Sequence, residues 1–222
     1  MHLYLDSADL TACRTWLPSG LFYGVTTNPL ILRRDKVPCR VEEVCALARD
    51  LLDLGAQEVQ LQPWGDEESR CAQIAAFADL GERVVMKLPM TRDGVRLARE
   101  VHGRGRRVTL TAVYAPHQAV VAAAAGVAYL APYFGRMNEA GRDALGDVLR
   151  MQAITRGCGC EVLVASLRNI SELTLLAEKG LTHFTFSPAT AEALFQDGLT
   201  ERALADFERA AEASCSSEAV KR

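Results

Sequence analysis

Residues 83–102 read RVVMKLPMTRDGVRLAREVH, and the grain of this stretch decides the fold. Arg83-Val-Val-Met-Lys87 is a short aliphatic run of strand character. After the Leu-Pro-Met-Thr break comes an amphipathic stretch from Gly94 to His102, closed by Gly103. Strand, break and helix together make one β–α unit. The oddity is Lys87, because an ammonium is among the costliest groups to take out of water. Either the side chain snorkels out at the strand end, or the chemistry of the protein needs an amine there.

The same unit repeats outward in both directions. Further strand-like runs are His2–Asp6, Tyr23–Thr26, Glu58–Gln62, Arg107–Thr111, Val127–Leu130, Glu161–Ala165 and His183–Phe186. Helical stretches lie between them at Glu42–Leu54, Glu67–Asp79, Pro116–Ala125, Ala140–Arg156 and Ser171–Lys179. Gly55, Gly81, Gly103, Gly126 and Gly180 stand where helix C-termini favour glycine. Strands alternating with helices imply parallel pairing through crossovers. Eight such strands predict a (β/α)8 barrel, an α/β fold, as one domain over residues 1–222. A doubly wound sheet would give the same alternation, but no Gly-x-Gly-x-x-Gly follows the first strand. Residues 198–222 are surplus to eight units and read as an extra C-terminal helix and tail, with Leu204, Phe207 and Ala211 at helical spacing.

Composition narrows the partners. The 222 residues are 49% hydrophobic and 24% charged, with a formal net charge of -3 and no basic stripe, so no nucleic-acid partner is expected. No apolar run has the roughly 20 residues of a membrane span, and the opening MHLYLD carries no export signal. The seven cysteines are scattered and the four histidines lie far apart, which fits reduced thiols in a cytoplasm and no metal site.

In a (β/α)8 barrel the chemistry sits at the C-terminal ends of the strands. Seven of the eight predicted strands end in polar or ionisable groups: Asp6; Thr26-Thr27-Asn28; Gln60 and Gln62; Lys87; Thr111; Tyr133; Ser166 with Arg168. Each alone has an ordinary structural explanation, as a helix cap, a turn residue or a strand end. Their convergence on one rim points to a site. Burial disfavours the charged form of an amine, and a neutral lysine attacks carbonyls to give a Schiff base. The iminium withdraws electrons, so a carbon–carbon bond beta to it can break or form. Each proton moved needs a carrier, for which Asp6, Gln60, Thr111 and Tyr133 are candidates. Arg136, Ser166 and Arg168 would make an anion site suited to phosphate.

Five blocks, in order, resemble the transaldolase family: GVTTNPLI (24–31), VVMKLPMT (84–91), LTAVYAPHQA (110–119), LAPYFGRM (130–137) and VLVASLRN (162–169), with LYLDSADL near the start. The resemblance is strongest to its small single-domain branch, which includes fructose-6-phosphate aldolase. It implies a metal-free, cofactor-free class I aldol enzyme with the Schiff-base lysine at Lys87. Asp6 and Asn28 would assist proton transfer and hold the dihydroxyacetone hydroxyls, with Thr26 beside them. Thr111 would position a catalytic water, and Arg136, Ser166 and Arg168 would bind phosphate.

Two positions separate the branches by this resemblance. Transaldolases have glutamate on strand three and usually phenylalanine after strand six; the aldolase branch has glutamine and tyrosine. Gln60 and Tyr133 favour an aldolase acting on fructose 6-phosphate, with Tyr133 taking the acid/base part. A transaldolase moving dihydroxyacetone between sugar phosphates, or the same chemistry on another terminally anionic ketose, are the alternatives; a non-catalytic binding protein is disfavoured. Three stretches depart from the pattern: LQPWGD (61–66), where Trp64 would reshape the pocket, GRMNEAGRD (135–143), and the tail after Phe207. The branch's C-terminal helix crosses to a neighbour within a pentamer or decamer, so a homo-oligomer is expected, its size placed in question by that tail.

Overall fold

The computed structural model describes residues 1–219. Its centre is a closed parallel barrel in strict chain order. The strands are β1 (His2–Asp6), β2 (Phe22–Thr26), β3 (Glu58–Leu61), β4 (Val84–Pro89), β5 (Val108–Val113), β6 (Tyr129–Pro132), β7 (Glu161–Val164) and β8 (His183–Phe186). β8 closes on β1 with His2 opposite His183 and Leu5 opposite Phe186.

The surrounding helices are α1 (Leu10–Trp16), α2 (Pro29–Arg34), α3 (Val41–Asp53), α4 (Glu67–Ala78), α5 (Arg92–Gly103), α6 (His117–Ala125), α7 (Phe134–Glu139), α8 (Ala144–Thr155), α9 (Ile170–Glu178), α10 (Pro188–Ala193) and α11 (Gly198–Ala219). Residues 220–222 of the expected tail lie outside the described residues. Successive side chains of a strand point to opposite faces, and this alternation divides the core in two. Outward-facing Val59, Leu61, Met86, Leu88, Leu110, Phe184 and their neighbours pack beneath the helices. Each such side chain contributes on the order of 1.5–3 kcal/mol by leaving water. Tyr4, Val85, Tyr129 and Leu163 instead fill the barrel interior, where they form a separate apolar layer.

The expected helix over Ala140–Arg156 starts later, as α8 (Ala144–Thr155), with the short α7 (Phe134–Glu139) before it. Gly141 takes φ 71° and breaks the path after α7, and Asp143 then caps α8 by accepting from the Gly146 N–H. Among the glycines expected to end helices, Gly103 is the last residue of α5, and Gly105 takes the positive φ instead. Short helices α1, α2 and α10 fill connections that lacked a long periodic signal. Each is set by its cap: the side chains of Asp9, Asn28 and Ser187 accept from N–H groups of the first turn.

Candidate active site

A cleft of about 170 Å³ opens at the C-terminal ends of the strands, and Lys87 reaches it from inside the barrel. The lysine is only 1% exposed. Its amine has no ion pair or hydrogen bond with any described residue, so nothing in the fold occupies the nitrogen lone pair or its protons. That is the arrangement a carbonyl-attacking amine requires.

Asp6 lines the same cleft at the end of β1. The buried Thr26 hydroxyl donates to its Oδ1 at 2.6 Å and lies equally close to the Thr185 hydroxyl. Thr26 itself does not line the cleft; it fixes the carboxylate that does. Asn28 splits its amide between two tasks. Its Oδ1 accepts from the N–H groups of Leu30 and Ile31, capping α2, which leaves Nδ2 to face the cleft.

Across the opening, Tyr133 supplies a phenol to the cleft, and the buried Thr111 hydroxyl donates to it at 3.0 Å. Ala112 takes φ 57°, where β5 breaks register with β6. A non-glycine residue in the left-handed region is strained. Here the strain sits directly after Thr111, at the strand end that carries this hydroxyl. Tyr114 stacks edge-on against the Tyr133 ring, and the Arg136 guanidinium lies 4.9 Å over it.

Arg136, Ser166 and Arg168 meet at one end of the cleft. Ser166 is the second strained position on this rim, with φ 63°, and its Oγ is buried without a protein partner. An unpaired buried hydroxyl costs free energy that a ligand would recover. Gly135 allows the approach of the two loops: it donates to the Ser166 carbonyl at 3.0 Å, and a Cβ there would stand 2.2 Å from that oxygen. Arg168 is held by Glu139 at 2.8 Å, while Arg136 has no carboxylate partner among the described residues.

Gln60 is not part of the cleft lining. It is fully buried one level down, its Nε2 donating to Glu58 at 2.8 Å and its Oε1 accepting from Thr109 at 2.9 Å. Trp64 does not reach the cleft either; it packs beside Phe77, its backbone paired with the Gln73 amide. The cleft wall contains residues that sequence reasoning passed over, Leu30 and Arg34 of α2. Arg34 donates to the Asp6 carbonyl at 3.1 Å and grips Asp35 with two nitrogens. Burial would raise the Asp35 carboxyl, but the bonds from Arg34, the Ala8 N–H and Ser7 outweigh it and hold the group below its usual range. The missed signal was spacing: Asn28 caps α2, and Leu30 and Arg34, four apart, share the helix face that returns to the rim.

A larger cavity, about 350 Å³, lies at the opposite end of the barrel, between the end of α8 and the turn into β8. Its one thiol, Cys160, is pushed by burial up to about 12, which leaves it inert. Lys87, Asp6 and Tyr133 line the smaller cleft instead.

The family model described as Transaldolase/Fructose-6-phosphate aldolase matches residues 3–222. This chain belongs to the transaldolase/fructose-6-phosphate aldolase family. A probable transaldolase of Caulobacter sp. (strain K31) is 32% identical over 211 residues, covering 93% of this chain and 94% of that protein. One from Kosmotoga olearia is 31% identical with the same coverage, and one from Nitrosopumilus maritimus is 29% identical, covering 93% of each chain. As a member of this family, the protein is an enzyme of the Schiff-base aldolase/transaldolase type. No helix among the described residues is long and apolar enough to cross a membrane.

Proposed function

We propose that the enzyme cleaves and forms fructose 6-phosphate, with dihydroxyacetone and glyceraldehyde 3-phosphate as the other partners. The observation that carries this is the pairing of Tyr133 with Thr111 in the cleft of Lys87, which puts a phenol beside the amine. Lys87 attacks the C2 carbonyl, and loss of water gives the iminium. A base takes the C4 hydroxyl proton, the C3–C4 bond breaks, and its electrons pass into the iminium to give an enamine. Glyceraldehyde 3-phosphate leaves; the enamine takes a proton at C3, and water hydrolyses the imine. Asp6 and Tyr133 are the two cleft groups able to carry these protons. Asn28 Nδ2 would hold a dihydroxyacetone hydroxyl, and Arg136, Ser166 and Arg168 the phosphate.

Transaldolase activity is the second reading, favoured by the printed names of the relatives. The two differ in what collects the fragment on Lys87, water or a second aldehyde. One assay separates them: fructose 6-phosphate is supplied with and without erythrose 4-phosphate. Turnover without the acceptor supports the aldolase; turnover only in its presence overturns it.

A homo-oligomer belongs to the same reading. α11 exposes Leu199, Leu204 and Phe207, a face that a second copy of the chain would bury. A cytoplasmic setting accords with Cys13, Cys39, Cys45, Cys71, Cys158 and Cys160 being free thiols.

A further inference from the structure

Glu58 stands two residues before Gln60 on β3, so both side chains point into the barrel. It is 0% exposed, yet it is a carboxylate. Its Oε2 accepts from Arg107 Nη1 at 2.5 Å and from the Tyr129 hydroxyl at 3.0 Å, while Oε1 accepts from Gln60 Nε2 at 2.8 Å. Tyr4 donates in turn to Tyr129 at 3.3 Å. Burial first, and the Glu58 charge second, push both phenols above their ordinary range, so they stay hydroxyl donors. Both oxygens of the carboxylate are thus engaged by donors.

Burying the carboxylate end of an ion pair costs desolvation that a half-exposed guanidinium such as Arg107 repays only in part, so it is a poor way to gain stability. The pair calls for another role, and its bonding pattern names one. A carboxylate only accepts, so Gln60 must turn its NH₂ to Glu58 and its carbonyl to Thr109. Gln60 stands opposite Val85 and Thr109 opposite Lys87, on either side of β4. The Gln60–Thr109 bond thus crosses the interior between the levels of Val85 and Lys87, as a polar floor to the lysine pocket.

We propose that Glu58 is a positioning residue: anchored by Arg107 and Tyr129, it locks the Gln60 amide, and through the Gln60–Thr109 bond it fixes the pocket in which Lys87 forms its imine. This rests on Lys87 being the imine-forming lysine. Glu58 touches neither the cleft nor the reacting atoms.

The test is a double-mutant cycle read by borohydride trapping with dihydroxyacetone. Glu58→Gln keeps the size and removes the constraint, since the new amide can donate as well as accept. The maximal trapping rate should fall about tenfold, with the half-saturating dihydroxyacetone concentration within about twofold of wild type. In a Gln60→Leu background the same change should alter the rate by less than about twofold, because the amide it works through is gone. Tyr129→Phe gives a second route that keeps the carboxylate but removes one donor. It should slow trapping in the same direction, again only when Gln60 is present, and it carries the cycle if Glu58→Gln does not fold. Equal losses with and without Gln60 would overturn the positioning role while leaving Lys87 chemistry standing. Wild-type protein that traps no adduct would overturn both.

Discussion

The Thr111 hydroxyl donates to the Tyr133 phenol oxygen across 3.0 Å, tying the end of β5 to the turn after β6. The bond leaves the phenol its own proton to give, in the cleft that Lys87 enters. Tyr133→Phe should therefore lower the rate of fructose 6-phosphate cleavage by about 10²-fold or more while Lys87 still forms its imine. Combined with Gln60→Glu, it should shift the ratio of hydrolysis to transfer toward transfer. An unchanged ratio, measured with and without erythrose 4-phosphate, would show that these positions do not set it.

Thr26 never touches the cleft, but its hydroxyl fixes Asp6. Thr26→Val keeps the shape and removes the donor, so Asp6 loses its orientation. Turnover should drop about tenfold with little change in KM. A KM effect alone would assign Thr26 to substrate binding.

Ser166→Ala and Arg136→Gln act on the proposed phosphate end. A hydrogen bond to a charged group contributes about 1.5–3 kcal/mol, so KM for fructose 6-phosphate should rise about 10- to 100-fold for each. The half-saturating concentration of unphosphorylated dihydroxyacetone should hardly move. Equal losses for both ligands would place these residues elsewhere in the reaction.

His183 gives a pH prediction. Burial, then the charge of His2 and of the N-terminal amine, holds its imidazole down to about 4. Glu161, 3.7 Å away and mostly exposed, pulls the other way and is outweighed. An unfolded histidine titrates near pH 6.5. Between about 6.5 and 4 the unfolded chain therefore binds more protons, and this residue makes stability fall as pH drops. Above that window it adds no slope. His183→Gln should flatten the decline in urea midpoint between about pH 6.5 and 4.5; an unchanged decline would contradict the assignment.

The barrel was legible because its strands are short, aliphatic and regularly interrupted, and Lys87 stood out as the one cation at the C-terminal end of such a run. Residues that line the rim, such as Asp6, Tyr133 and Ser166, followed from strand ends alone. Gln60 looked equivalent to them, but a strand end in sequence does not say how far the barrel's stagger carries a side chain above or below the lysine. Glu58 was hidden for the opposite reason. A charged residue at the start of a predicted strand reads as exposed, and only Arg107 and Tyr129, far away in sequence, make its burial tolerable. Arg34 was passed over because only the fold turns α2 back toward Asp6.

The central claim is the imine on Lys87, and mass spectrometry after borohydride reduction with dihydroxyacetone tests it most directly. The adduct should appear on Lys87 alone and vanish in Lys87→Met. Wild-type protein without an adduct, or with one on another lysine, would contradict the account.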